Sequence, residues 1–147
     1  MPELSLRERA LGFLSRREYS RQELKRKLAP HAEDRDEVES LLDDFVQRGW
    51  LSEVRFTEQI VHARSGKFGA QRIAHELKEK GVSAEAVAAV LPQLKEIELE
   101  TARAVWDKKF GSLPKDGKDR AKQTRFLMSR GFSLNIIGKL LSGIGEQ

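Results

Sequence analysis

Lys80-Gly81-Val82-Ser83 and Arg130-Gly131-Phe132-Ser133 are one phrase written twice, about 50 positions apart: a basic residue, a glycine, an apolar residue, a serine. The likeness extends both ways. Leu77 corresponds to Leu127 upstream, and Val87, Val90 and Leu91 correspond to Ile137, Leu140 and Leu141 downstream. Glycine tolerates the left-handed conformation that ends a helix, and serine accepts the orphan N–H groups that begin one. Each phrase therefore reads as a helix stop followed at once by a helix start. A looser copy lies further upstream, where Ser20-Arg21-Gln22-Glu23-Leu24 and Leu28 align with Gly69-Ala70-Gln71-Arg72-Ile73 and Leu77.

Apolar residues at helical spacing fill the intervals. Leu6, Ala10, Phe13 and Leu14 share a face, as do Val38, Leu41, Leu42, Phe45 and Val46. Further stripes are Phe56, Ile60 and Ala63; Val87, Val90, Leu91 and Leu94; Leu99, Ala102, Trp106 and Phe110; and Ile136, Ile137, Leu140, Leu141 and Ile144. Ser5 with Glu8 and Ser20 with Glu23 read as capping boxes, and Asp34 with Glu37 as a similar pair. Gly49, Gly81 and Gly131 sit at helix ends. No sustained polar–apolar alternation suggests a strand. Nine helices are expected near 5–17, 20–29, 35–48, 53–65, 69–80, 84–92, 95–110, 118–130 and 134–142. They group as three tandem three-helix repeats, helix-turn-helix-like modules over 1–51, 52–94 and 95–147, in an all-α, elongated and curved array. Modules this small need neighbours to be stable. Phe13, Tyr19, Leu24, Leu28, Phe45, Trp50 and Phe56 are expected as core or module-packing residues, and Trp106 as core rather than an interface anchor. The segments 111–118 and 66–69 are expected as flexible loops, and the tail after Ser142 as frayed.

Of the 147 residues, 34% are charged, above the usual ~25%, which suits an elongated shape or a polar partner. The absence of cysteine excludes disulfides, thiol catalysis and cysteine-ligated metal sites. No apolar run approaches the ~18 residues of a membrane span, and the start lacks the basic and apolar stretches of a secretory signal. A soluble cytoplasmic protein is expected. The net charge of +4 is unevenly placed: residues 1–50 and 51–100 each carry −1, whereas residues 101–147 carry 10 basic and 4 acidic side chains. The first third is itself polarised, with basic residues over 16–27 and acidic residues over 33–44, an arrangement that can orient a partner.

Catalytic patterns are missing. His31, His62 and His75 lie in different expected elements without metal-ligand spacing. Ser65-Gly66-Lys67-Phe68 lacks the leading glycine of a phosphate loop, since Val61 stands there, and Phe68 replaces the magnesium-binding hydroxyl. Neither a nucleophile elbow nor an acid cluster is present. A binding protein without a cofactor is the expectation.

Several motifs in order give the chain a family likeness. They are Arg17-Glu18-Tyr19-Ser20, Glu23-Leu24, Lys27-Leu28 and Arg48-Gly49-Trp50-Leu51 in the first unit. The second has Arg55-Phe56, Arg64-Ser65-Gly66, Gly69, Arg72-Ile73, Glu76-Leu77-Lys78 and Lys80-Gly81-Val82-Ser83. The third has Leu127 and Arg130-Gly131-Phe132-Ser133. In these the chain resembles the RecX family, bacterial regulatory proteins that restrain the RecA recombinase. One departure is Ser52-Glu53-Val54, where many relatives have Asp; Glu53 is expected to serve the helix dipole instead. A monomer is expected. The resemblance implies three tandem three-helix repeats, no enzymatic activity, and binding to RecA in the groove of the RecA–DNA filament. There it would suppress ATP hydrolysis and strand exchange, modulating recombination and the SOS response.

Lone basic residues are costly to bury, so the cations of these motifs are the candidate partner contacts, toward RecA or DNA phosphates. They are Arg17, Arg21, Lys25, Arg55, Arg64, Lys67, Arg72, Lys78, Lys80, Lys122, Arg125 and Arg130. Arg72 and Arg125 are the expected anchors, since guanidinium binds carboxylate or phosphate bidentately. The alternative is a helical DNA-binding protein acting through basic helices such as 20–29 and 118–130; a mixed case adds weak direct DNA contact to a protein interface.

Overall fold

A computed structural model describes residues 3–142. The described residues form nine α-helices and one short 3-10 turn, with no strand: α1 (Leu6–Leu14), α2 (Arg21–Leu28), the turn Ala29–His31, α3 (Arg35–Gln47), α4 (Glu53–Arg64), α5 (Ala70–Glu79), α6 (Ala84–Glu96), α7 (Glu98–Lys109), α8 (Gly117–Ser129) and α9 (Leu134–Leu141). Ile144 and the tail after Ser142 lie outside the described residues. Among the described residues no helix is long and apolar enough to cross a membrane.

The caps act as the sequence indicates. Ser5 and Ser20 form full capping boxes with Glu8 and Glu23, and Ser83 and Ser133 cap α6 and α9. Asp34 accepts from the Glu37 N–H, but Glu37 reaches back to the N–H of Glu33 rather than to that of Asp34. Gly49, Gly81 and Gly131 take φ of 77, 86 and 90°.

Three helices at a time enclose a separate core. The first holds Ala10, Leu24, Leu28, Val38, Leu42 and Phe45; the second Phe56, Ile60, Ile73, Leu77, Val87 and Leu94; the third Ala102, Trp106, Leu127, Phe132, Ile137 and Leu140. With its core divided, the chain exposes 9551 Å², against about 7600 Å² for a compact monomer of this mass. Two matching acids tie the first helix of a unit to the third. Glu53 at the start of α4 accepts from the Ser83 N–H (3.0 Å) and hydroxyl (2.9 Å). Glu98 at the start of α7 accepts from the Ser133 N–H at 3.3 Å.

Two expectations need correction. The sixth helix was expected to stop at 92 and the seventh to start at 95, but α6 runs through Pro92 to Glu96 and the break falls at Ile97. Proline removes one intrahelical donor, yet Leu94 beyond it is buried and anchors the final turn in the core. Trp50 is not a core residue and is 41% exposed. Gly49 turns the chain so that Leu51 enters the core instead, leaving the Trp50 ring edge-on to Phe45 at 5.4 Å, with Arg48 at 5.1 Å and Arg7 at 5.6 Å.

Glycines join the units. The Gly69 N–H donates to the Arg130 carbonyl at 2.8 Å, and a Cβ on Gly69 would collide with the Gly131 backbone. A Cβ on Gly131 would collide with Arg72, whose Nη1 donates to the Ser129 carbonyl at 2.8 Å. The first junction is a variation on this: Gln22 lies against Gly81 and its Nε2 donates to the Glu79 carbonyl at 3.0 Å. At Gly49 an added Cβ would meet nothing within 4 Å. Gly49→Ala should therefore cost about 1–2 kcal/mol, the backbone penalty alone. Gly131→Ala adds a steric clash and should cost about 3 kcal/mol or more. Urea denaturation of both variants measures the difference, and equal costs would show that the junction does not constrain the fold.

Candidate partner-binding surface

The structure divides the candidate cations into paired and unpaired sets. Among the described residues every ion pair falls between Arg7 and Lys80. In the first unit Arg21 reaches Glu39 at 2.8 Å and Asp43 at 2.7 Å, while Lys25 reaches Glu39 at 2.6 Å. These two cations thus neutralise part of the acidic stretch. Lys25 first, then Arg21, holds the Glu39 carboxyl down at about 2, against an ordinary 4.5. Arg17 pairs with Glu23 at 3.3 Å and lies over the Tyr19 ring at 3.6 Å.

Other candidates hold the array together. Arg55 donates to Glu18 at 2.8 Å and to the Gly49 carbonyl at 2.7 Å, bridging the first two units. Arg64 grips Glu76 through Nε (2.9 Å) and Nη2 (3.2 Å). Lys80 reaches the same carboxylate at 2.9 Å and approaches Glu23 across the junction at 4.0 Å. Arg64, working against burial and aided by Lys80, keeps the Glu76 carboxyl below its usual range. Arg72 supports the second junction, with its guanidinium 4.1 Å over the Phe68 ring.

Lys67, Lys78, Lys122, Arg125 and Arg130 pair with no carboxylate among the described residues. Three of the local acids serve backbone groups instead. Asp116 accepts from the Asp119 N–H (2.8 Å), Asp119 from the Lys115 N–H (3.0 Å), and Glu98 from Ser133. Most cations of the last third are thus left facing outward; Arg103 is the exception, its Nε and Nη2 buried without a partner among the described residues. Lys122 and Arg125 lie on the exposed face of α8 with Lys118, and Asp116 and Asp119 share that surface. Lys67 and Arg130 meet at the junction of the second and third units, in a groove of about 560 Å³ that α7 completes.

That groove also contains Lys108 and Lys109, which sequence reasoning missed. The visible clue was their position three and four residues past Ala104 and Val105 on the α7 face, in a stretch whose one nearby acid is Asp107. Two buried polar residues were also missed. Gln123 accepts from the Trp106 indole N–H at 2.8 Å and donates to the Ser112 carbonyl at 3.2 Å, satisfying the buried aromatic. Glu98 is 6% exposed. His31, His62 and His75 are all exposed, and among the described residues no histidine or carboxylate cluster suited to a metal ion occurs.

The Glu39 pair sets a pH dependence. Its carboxyl is depressed in the folded state, so its contribution is present above the ordinary value and is lost as pH falls from about 4.5 toward 2. Glu39→Gln should lower the urea midpoint at pH 6 and shrink the further fall between pH 5 and 3, the two proteins converging near pH 2. Parallel curves would remove Glu39 from the account.

Comparison with known proteins follows the same three-unit division. The first, second and third three-helix domains of RecX match residues 7–45, 52–91 and 96–141 respectively. Regulatory protein RecX of Ralstonia pickettii is 48% identical over 143 residues, covering 97% of this chain and 90% of its own. That of Leptothrix cholodnii is 49% identical over 140 residues, covering 95% and 89%. The crystal structure of RecX from Lactobacillus salivarius superposes with a TM-score of 0.80 at 17% identity over 97% of this chain and 96% of that one. A crystal structure of regulatory protein RecX gives 0.82 at 19% identity over 93% and 71%. At these identities the two structures speak to the fold alone. Continuous similarity to the curated relatives across all three units goes further: the chain belongs to the RecX family of regulatory proteins.

Proposed function

We propose that this chain binds the RecA recombinase filament and restrains its ATP hydrolysis and strand exchange, acting as a monomer and without catalysis of its own. Family membership supports the partner. The observation that carries the physical side is the serial architecture: three similar units, locked at a fixed spacing, suit a partner that is itself a polymer. Contacts spread over adjacent protomers share a high effective concentration, so individually modest holds suffice.

The charge division supports a split of roles. Arg21, Lys25, Arg55, Arg64, Arg72 and Lys80 mainly keep the array in shape, with Arg17 bracing the entry to α2. The outward cations, Lys67, Lys78, Lys122, Arg125 and Arg130, are the partner contacts. The exposed α8 face, where Lys118, Lys122 and Arg125 outnumber Asp116 and Asp119, also favours weak direct contact with DNA phosphates. Such contact loses roughly 10³-fold or more between low and moderate salt when it spans six or more phosphates; a protein interface with few ionic contacts loses far less.

Substoichiometric amounts should suppress the DNA-dependent ATPase of RecA. Reversing Lys122 and Arg125 to glutamate should weaken inhibition by about tenfold with unchanged helicity. Full ATPase activity at equimolar protein would defeat the regulator reading. Binding to bare DNA at moderate salt as tight as binding to the filament would favour the nucleic-acid reading instead.

A further inference from the structure

The groove at the second junction gathers cations from three segments of chain. Lys67 enters from the α4–α5 connection, Lys108 and Lys109 from α7, and Arg130 from the C-cap of α8, and no carboxylate lines it. Its apolar surface comes from Ala104, Val105 and Phe126. We propose that this groove binds an acidic peptide segment of a protein partner, one that sets an aliphatic side chain among its carboxylates. The inference deepens the protein-partner reading by giving the partner's chemistry and the site that takes it.

Charge complementarity supplies the first argument. Four like charges around one concavity repel each other and concentrate a positive potential there. Of the nearby acids, Asp116, Asp119 and Glu98 are engaged with backbone groups elsewhere, and Glu100 and Asp107 of α7 do not line the groove and form no ion pair among the described residues. A polyanionic segment relieves the repulsion on binding.

The apolar surface decides which polyanion. Ala104 and Val105 offer an aliphatic side chain a place to be buried, whereas phosphate groups alone would leave them uncovered. A nucleic acid could compensate by stacking a base on an aromatic ring. The ring here is already taken: Arg130 lies 5.0 Å from the centre of Phe126, Lys109 5.5 Å, and Phe110 meets it edge-on at 5.4 Å. The next aromatic, Phe68, carries Arg72 at 4.1 Å. A stacking base would have to displace one of these groups.

The groove is also held in shape before any ligand arrives. Gly66 and Lys67 belong to the second unit and the other lining residues to the third, and the Gly69–Arg130 backbone hydrogen bond at 2.8 Å fixes one against the other. A preformed site does not have to order itself on binding. Its volume of about 560 Å³ lies within the ~300–1,000 Å³ of ligand sites.

The test is fluorescence anisotropy on the full chain, without RecA, so that its failure is separate from failure of the ATPase assay. The probes are a labelled peptide alternating glutamate and leucine, a glutamate-only peptide of equal charge, and a single-stranded DNA octamer. The leucine-bearing peptide should bind at least about tenfold tighter than the glutamate-only one. Lys108→Glu with Lys109→Glu should weaken it by at least about tenfold. Lys95→Glu with Lys139→Glu, the same change in net charge at exposed positions outside the groove, should leave it unchanged. All four lysines are exposed, so circular dichroism should show the same helicity in each variant. Equal affinity for the two peptides, or equal loss in the two double variants, would reduce the effect to diffuse attraction and overturn the proposal. So would absence of peptide binding, or octamer binding that exceeds the peptide's and is lost with Lys108 and Lys109.

Discussion

Where α5 meets the end of α8, two stretches of backbone touch with no side chain between them. The Gly69 N–H reaches the Arg130 carbonyl, and Gly131, at φ 90°, leaves room for the Arg72 side chain. Only glycine fits either position. Much else hangs from this contact, because each three-helix unit has a core too small to be comfortable alone. The contact fixes the third unit against the second, keeps Phe68 between Arg72 and Arg130, and shapes the cationic groove. Gln22 and Gly81 repeat the device at the first junction with a neutral strut.

The division of charge follows from the same economy. Exposed ion pairs stabilise little individually, about 0–1 kcal/mol, so the pairs of the first two units matter less for folding energy than for what they leave available. Arg21, Lys25, Arg64 and Lys80 are occupied, and two of their partners, Glu39 and Glu76, are held below the ordinary carboxylate range. In the third unit Glu98, Asp116 and Asp119 serve backbone groups at turns and helix starts, and no ion pair is made among the described residues. A molecule with a nearly neutral front and a cationic end is the outcome, although both contain many charged side chains.

Much of the fold was legible because it rests on local rules. Serine caps, glycine stops and the recurrence of Lys80-Gly81-Val82-Ser83 as Arg130-Gly131-Phe132-Ser133 need only neighbouring residues to be read. What escaped depends on distant partners. Arg21 looks free until α3 brings Glu39 beside it, and Trp50 looks like core until Gly49 turns it outward. Gln123 looks like a surface amide until Trp106 requires an acceptor. Pro92 looks like a stop until Leu94 is seen anchored behind it. The cations of the candidate surface were legible as candidates; which of them were already engaged was not, since that depends on pairings between helices.

The central claim is that three separate cores are held in line by narrow junctions. Small-angle scattering of the full chain tests it most directly. A single globule of this length would have a radius of gyration near 15 Å. Three linked units, each about 18 Å from the next, should give about 17 Å or more, with an asymmetric distance distribution. A value near 15 Å with a symmetric distribution would contradict it.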